Sequence, residues 1–328
     1  MRRKIVTCLL TTALLSIAPF VEAQQPKKAW RLGFISSVSL KLNAHMYAGF
    51  LQGLHDLGYI EGKNIVIESR WAEGKTDRLP ELAAELVSLK PNLIVSTGGT
   101  VTALAVKKAT TTIPVVFTAG GDLVKVGLIA SLARPGGNLT GLSLLTTELS
   151  VKRLEILKET FPKLRRVAVL GNPVNPVSAI QLGEVQAAAK TLGFQLQIVE
   201  ARDPKDFEPA FSAMTEKGAG ALLVLSDAML NAHRERIASL ATKSRLPAIY
   251  EFKESVEAGG LMSYGTNIVD VYRRVGKYVD RILKGAKPGE LPVEQPLNFE
   301  FLINLKTAKQ IGVTIPPNVL ARADRVIK

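Results

Sequence analysis

LGYIEGKNIVIESR at residues 57–70 and LGFQLQIVEAR at 192–202 follow one grammar: a helix ending in Leu-Gly-aromatic, then a strand ending in an acidic residue, a small residue and Arg. Gly58 and Gly193 suit the left-handed turn that closes a helix. Working outward, apolar runs of strand length alternate with amphipathic helical stretches, the pattern of an α/β fold with parallel strands. Residues 31–36, 64–69, 92–97 and 114–118 read as strands, separated by helices near 43–57, 77–90 and 100–109. A second series repeats the first, with strands near 166–171, 195–200, 221–226 and 247–252 and helices near 177–192, 205–217 and 228–244. The parallel landmarks predict two lobes of one design.

Three segments read as passages between the lobes. Arg134-Pro135-Gly136-Gly137-Asn138 is a turn cluster, followed by the extended stretch 139–143. Gly259-Gly260 and residues 261–265 read as a return crossing, after which a helix over 267–284 is expected on the first lobe. The proline-rich stretch 288–296 is a third passage, leading to a strand at Phe299–Ile303 and a short helix at 305–311. The expected division is a leader at 1–23, a first lobe of 24–141 plus 263–292, and a second lobe of 142–262 plus 293–328.

Composition supports a packed fold, with 47% hydrophobic, 22% charged and 6% aromatic residues among 328. Arg2, Arg3 and Lys4 precede an apolar run from Ile5 to Ala18, and Val21-Glu22-Ala23 offers a cleavage site. This reads as a signal peptide cut after Ala23. The flanks of Arg2-Arg3 fit the twin-arginine route poorly. Cys8, the single cysteine, sits too early in that run to accept a lipid, and its removal leaves neither a disulfide nor a thiolate metal site. Of the formal charge of +13, the leader carries +2, leaving +11 spread over helix surfaces without a basic arm or a nucleic-acid-binding motif. No nucleic-acid partner is expected.

Ligands of open α/β sheets bind at the carboxyl ends of the strands. In the first lobe those ends carry Ser36 and Ser37, then Thr97-Gly98-Gly99-Thr100, then Thr118 followed by Asp122. Glycine admits close approach and the hydroxyls supply donors and acceptors, so a carboxylate or other anion can dock on Thr97 to Thr100. The same residues also serve as ordinary βα turns and caps. In the second lobe the equivalent ends carry Asn175, Ser226-Asp227 and Tyr250-Glu251-Phe252. Asp227 or Glu251 can hold an ammonium group, while Tyr250, Phe252 and Tyr264 can cover a ring. Asp227 equally fits a helix N-cap, and Tyr250 a core position. His45, His55 and His233 do not pair at metal-ligand spacing, and no nucleophile elbow, phosphate loop or dinucleotide fingerprint occurs. Neither catalytic residues nor a cofactor or metal is expected.

Five stretches carry a family resemblance: LGYIEGKNIVIESRWAEG at 57–74, TTTIPVVF at 110–117, SLARPGGNLTGLS at 131–143, EAGGLMSYG at 257–265 and INLKTAKQIG at 303–312. The chain resembles the type I periplasmic solute-binding proteins of ABC importers, in the branch that includes tryptophan- and tyrosine-binding members. The resemblance implies two Rossmann-like lobes joined by three crossovers, one ligand in the cleft, and ligand contacts on the loops just named. It also implies a periplasmic monomer whose partners are an inner-membrane permease and a cytoplasmic ATPase. The expected function is capture of a small amino-acid-like solute for import; an aromatic amino acid suits the residues, and leucine-like amino acids, a nucleoside or an aromatic acid are served by much the same residue types. A sensor that docks on a membrane receptor and a secreted α/β enzyme are the alternatives.

Overall fold

The computed structural model describes residues 29–328, so the leader and Cys8 lie outside the described residues. Five strands, β1 (Trp30–Ser36), β2 (Ile65–Trp71), β3 (Leu93–Thr97), β4 (Val115–Ala119) and β5 (Leu139–Ser143), form one sheet in the order β2-β1-β3-β4-β5. Every neighbouring pair in it is parallel. The second sheet contains β6 (Arg166–Gly171), β7 (Gln195–Glu200), β8 (Ala221–Val224), β9 (Ala248–Tyr250), β10 (Met262–Thr266), β11 (Phe299–Asn304) and β12 (Arg325–Ile327). Its order is β12-β11-β10-β9-β8-β6-β7, so β7-β6-β8-β9-β10 repeats the order of the first sheet. Only the β10–β11 pair in it is antiparallel, because the chain enters β11 from the first lobe after its last passage.

The near-continuous apolar strands follow from burial on both faces. In β1, Leu32 and Phe34 enter one hydrophobic cluster and Ile35 another; in β6, Val167 and Val169 face one cluster and Ala168 and Leu170 the opposite one. Helix termini follow the local sequence. Ser39 caps the helix Leu40–His55 by accepting from the Leu42 amide at 3.3 Å. Gly193, at φ 70°, closes the helix Ser178–Leu192.

Three features differ from the sequence reading. Residues 139–143 and 261–265, expected as crossings, fall in β5 (Leu139–Ser143) and β10 (Met262–Thr266), the last parallel strand of each lobe's series. Both are rich in small and polar residues, and pairing of their backbones rather than an apolar pattern makes them strands. The chain therefore leaves the first sheet after Ser143 and the second after Thr266, and re-enters the second at Phe299. A helix over Thr146–Thr160, not read from the sequence, follows the first of these passages. The helix expected over 228–244 is broken at His233 into Ala228–Ala232 and Arg234–Lys243.

The returning helix Ile268–Leu283 lies on the first lobe, where Val271, Tyr272, Val275 and Val279 join the cluster of Leu32, Phe34 and Phe50. It approaches the helix Leu40–His55 at glycines: a Cβ on Gly53 would lie 2.0 Å from the Arg273 carbonyl oxygen, and one on Gly276 would lie 2.6 Å from the Gly53 carbonyl carbon. Only a residue without a side chain fits there.

Candidate functional site

A cavity lies where the carboxyl ends of the two parallel series face each other. The first lobe contributes Val38, Asn43, Met46, the Gly98-Gly99-Thr100 loop, Thr118, Gly120, Ile268 and Tyr272. The second contributes Asn175, Val177, Gln181, Ser226, Asp227, Ala228, Asn231, Glu251 and Phe252, and Leu144 and Thr146 enter from the first passage. The lobes touch: Phe252 packs into the first lobe's cluster with Met46, Ile268 and Tyr272.

The first-lobe wall is electropositive without carrying a cation. The helix Thr100–Ala109 begins at Gly99, which has no side chain to cap it, and both Gly99 and Thr100 line the cavity. Amides at such an end, with the helix dipole behind them, favour an anion. The Thr100 hydroxyl donates to the Gly120 carbonyl at 2.7 Å and keeps its own lone pairs. Thr146 Oγ1 is buried and, among the described residues, has no hydrogen-bond partner. Burial pushes the Tyr272 phenol up, and hydrogen bonds to Thr97, Thr118 and the Gly98 backbone oppose the shift.

The second-lobe wall holds two carboxylates, a half-buried Asp227 and a buried Glu251, with different degrees of satisfaction. Asp227 caps the helix Ala228–Ala232 by accepting from the Leu230 amide at 3.0 Å, and its other oxygen accepts from the Asn172 and Asn175 side chains at 3.2 and 3.1 Å. Burial raises its carboxyl above the usual range, opposed by those same donors. Glu251 is 8% exposed, and its Oε1 accepts no hydrogen bond among the described residues. Burial raises this carboxyl to about 7, opposed by the Arg153 charge and a hydrogen bond from Ser226. A buried acceptor oxygen left unmade is costly, and a donor brought by a ligand removes that cost.

Of the residues named from the sequence, Gly98, Gly99, Thr100, Thr118, Asn175, Ser226, Asp227, Glu251 and Phe252 line this cavity. Ser37 lines an adjoining space and donates to the Gly98 carbonyl at 2.7 Å. Ser36 and Thr97 are buried behind the wall, where Ser36 accepts from the Val38 amide and Thr97 donates to the Ile35 carbonyl. Asp122 turns away and accepts from the Val124 and Lys125 amides. Tyr250 belongs to the second lobe's core, as its alternating spacing allows, because its ring follows the β9 pleat away from Glu251. Tyr264 packs on Phe299 and Phe301 of β11 instead of the cavity. The apolar cover is therefore Phe252, Tyr272, Met46 and Ile268, of which Tyr272, Met46 and Ile268 were not singled out from the sequence.

Arg153 and Gln181 were missed as well. Leu149, Arg153, Leu154 and Leu157 recur at helical spacing, so Arg153 lies on the buried face of Thr146–Thr160; that periodicity was a signal. Gln181 accepts from the Ser226 amide at 3.1 Å and donates to the Ser226 carbonyl at 3.2 Å, a pairing across 45 residues that local sequence does not encode.

Comparison with known proteins agrees with this geometry. Residues 33–327 match the family of ABC transporter substrate binding proteins. A tyrosine-binding protein of Clostridioides difficile is 30% identical over 266 residues, spanning 81% of this chain and 76% of that one. The structure of an ABC domain from Streptococcus pneumoniae in complex with L-Trp superposes with a TM-score of 0.82 at 27% identity, covering 90% of this chain and 100% of that one. A ligand-free, open substrate-binding protein from Clostridium difficile superposes with a TM-score of 0.65 at 25% identity, covering 92% and 99%. The greater likeness to the ligand complex accords with a cavity walled by both lobes.

Proposed function

Because this chain belongs to the ABC transporter substrate-binding proteins, and is thus a solute-binding protein of an ABC transporter rather than an enzyme, we propose that its ligand is an amino acid with an aromatic side chain. The observation that carries this is the unpartnered Oε1 of Glu251 in the same cavity as the uncapped start of the helix Thr100–Ala109. An α-ammonium group satisfies the first and an α-carboxylate the second. The apolar cover of Phe252, Tyr272, Met46 and Ile268 suits a ring, and the Asn43 and Asn231 side chains give polar partners to a ring substituent. The tyrosine-binding relative and the L-Trp complex support the same class.

The leader read at residues 1–23 supports export to the periplasm, where the protein delivers its ligand to a permease driven by a cytoplasmic ATPase. Among the described residues no helix is long and apolar enough to cross a membrane. Two carboxylates in the wall, Asp227 and Glu251, against one buried arginine, Arg153, also disfavour aryl carboxylates that lack an ammonium group. A thermal-shift screen over amino acids and aromatic acids tests the proposal. Ligand at about one hundred times its Kd stabilises the folded state by about 2.7 kcal/mol, so L-Trp or L-Tyr should raise Tm. A shift with aromatic acids alone, or with no aromatic amino acid, overturns it.

A further inference from the structure

The side chain behind the ligand wall that most needs explaining is Arg153. It is wholly buried at 0% exposure, on a helix face that otherwise presents leucines, isoleucine and small hydroxyl residues, Ser150 among them, and no other charged group. Burying a guanidinium is costly without a charged partner, and an apolar residue of similar volume would pack there at less cost. Among the described residues no carboxylate reaches ion-pair distance of it. One of its terminal nitrogens donates to the Tyr264 carbonyl at 3.2 Å, the other to the Ser150 and Ser226 hydroxyls at 2.7 and 3.2 Å, and Nε has no partner among the described residues.

Ser226 connects this cation to the cavity. Gln181 holds both its backbone amide and its carbonyl, so its position is set from the main chain. Its hydroxyl accepts from Arg153 at 3.2 Å, and Ser226 stands with Glu251 in the cavity wall, where the serine side chain favours the ionised form of Glu251. The other charged groups acting on Glu251 are Asp227, after β8, and Glu254, in the helix Lys253–Glu257. Both are carboxylates and both favour the protonated form of Glu251; Arg153 is the cation that opposes them.

We infer that Arg153, acting through the Ser226 hydroxyl, is a positioning residue that holds the Glu251 carboxylate charged and oriented to receive a ligand ammonium group. The inference rests on reading the cavity as an amino-acid site. It explains why a cation occupies a buried helix face: it offsets two neighbouring carboxylates so that the third can act as an acceptor. Even with the arginine in place desolvation raises Glu251 to about 7, so loss of the cation moves its ionisation further above neutral pH.

The test is the titration of Glu251 followed by carbon NMR on protein with isotope-labelled glutamate, with the resonance assigned by Glu251→Gln. It is run without ligand on wild type, Arg153→Met, Arg153→Lys and Ser226→Ala, and calorimetric Kd values for L-Trp and L-Tyr are measured at pH 6, 7 and 8.5. Arg153→Met should raise the Glu251 midpoint by at least about one pH unit. The ionised fraction at pH 7 then falls from about a half to about a tenth, so Kd rises about five-fold at pH 7 and recovers towards wild type at pH 8.5. Arg153→Lys keeps the charge and should keep the midpoint, while Ser226→Ala should move it in the same direction as Arg153→Met. If Arg153→Met does not fold, Ser226→Ala, which deletes one hydroxyl, carries the test. A midpoint unmoved in the folded variants, or a Kd weakened by the same factor at pH 6 and 8.5, overturns the inference, because lost packing has no pH signature. A midpoint that moves in a protein that binds no amino acid upholds the Arg153–Glu251 link and refutes the ligand reading instead.

Discussion

Replacing Glu251 by Gln should make the protein more stable and functionally inert at once. Burial raises the Glu251 carboxyl from its ordinary 4.5 to about 7. In the unfolded chain the group loses its proton near 4.5, so between pH 4.5 and 7 the folded state binds the extra proton and its stability falls as pH rises. The contribution of the neutral acid is fully present below about 4.5 and lost above about 7. A difference of roughly 2.5 pH units at about 1.36 kcal/mol each gives a cost of about 3 kcal/mol at alkaline pH. Glutamine has nearly the same shape and does not ionise. Ligand-free Glu251→Gln should therefore match wild type in denaturant unfolding at pH 4 and exceed it by about 3 kcal/mol at pH 8.5. Calorimetry at pH 8 should show L-Trp and L-Tyr binding weakened at least about a hundred-fold, because a neutral amide replaces a charged acceptor in a low-dielectric site. Equal stability at pH 8.5 together with unchanged affinity would refute both the desolvation and the ammonium role.

Asp227→Ala should behave in the opposite sense on stability. It removes a helix cap and leaves the Asn172 and Asn175 amides without their acceptor, costing about 2–4 kcal/mol in urea unfolding at pH 7. Tyr250→Phe deletes a hydroxyl that is buried with no partner among the described residues. It should leave ligand affinity unchanged and raise stability by about 1 kcal/mol, whereas lost affinity would return Tyr250 to the site. Gly121 sits at φ 80°, and a Cβ there would lie 2.0 Å from Val177 Cγ1, a contact between the lobes. Gly121→Ala should weaken binding at least about ten-fold by holding the lobes apart, with partial recovery in the double variant with Val177→Ala; no recovery would place the defect within the first lobe.

What the sequence determined by itself was periodic and local. Apolar runs buried on both faces, such as Leu32 to Ile35 and Val167 to Leu170, needed only their own pattern to declare parallel strands, and Gly58 and Gly193 marked corresponding turns because left-handed backbone is a local property. The strand ends therefore located the cleft, and Thr100, Asn175, Asp227 and Glu251 could be placed on its walls. The tertiary structure decided which of those groups was free to act. Asp227 and Glu251 look alike in sequence, yet Asp227 spends its oxygens on a helix amide and two asparagines while Glu251 keeps one bare. Tyr250 and Tyr264 carry the right chemistry for a ring but point into cores, and Phe252 and Tyr272 take their place from segments twenty residues apart. The same holds for Arg153, whose charge acquires a purpose only when Ser226 and Glu251 arrive beside it from distant positions in the chain. Hydrogen-bond saturation and desolvation depend on every neighbour in space, and those neighbours exist only after the two lobes have folded and met.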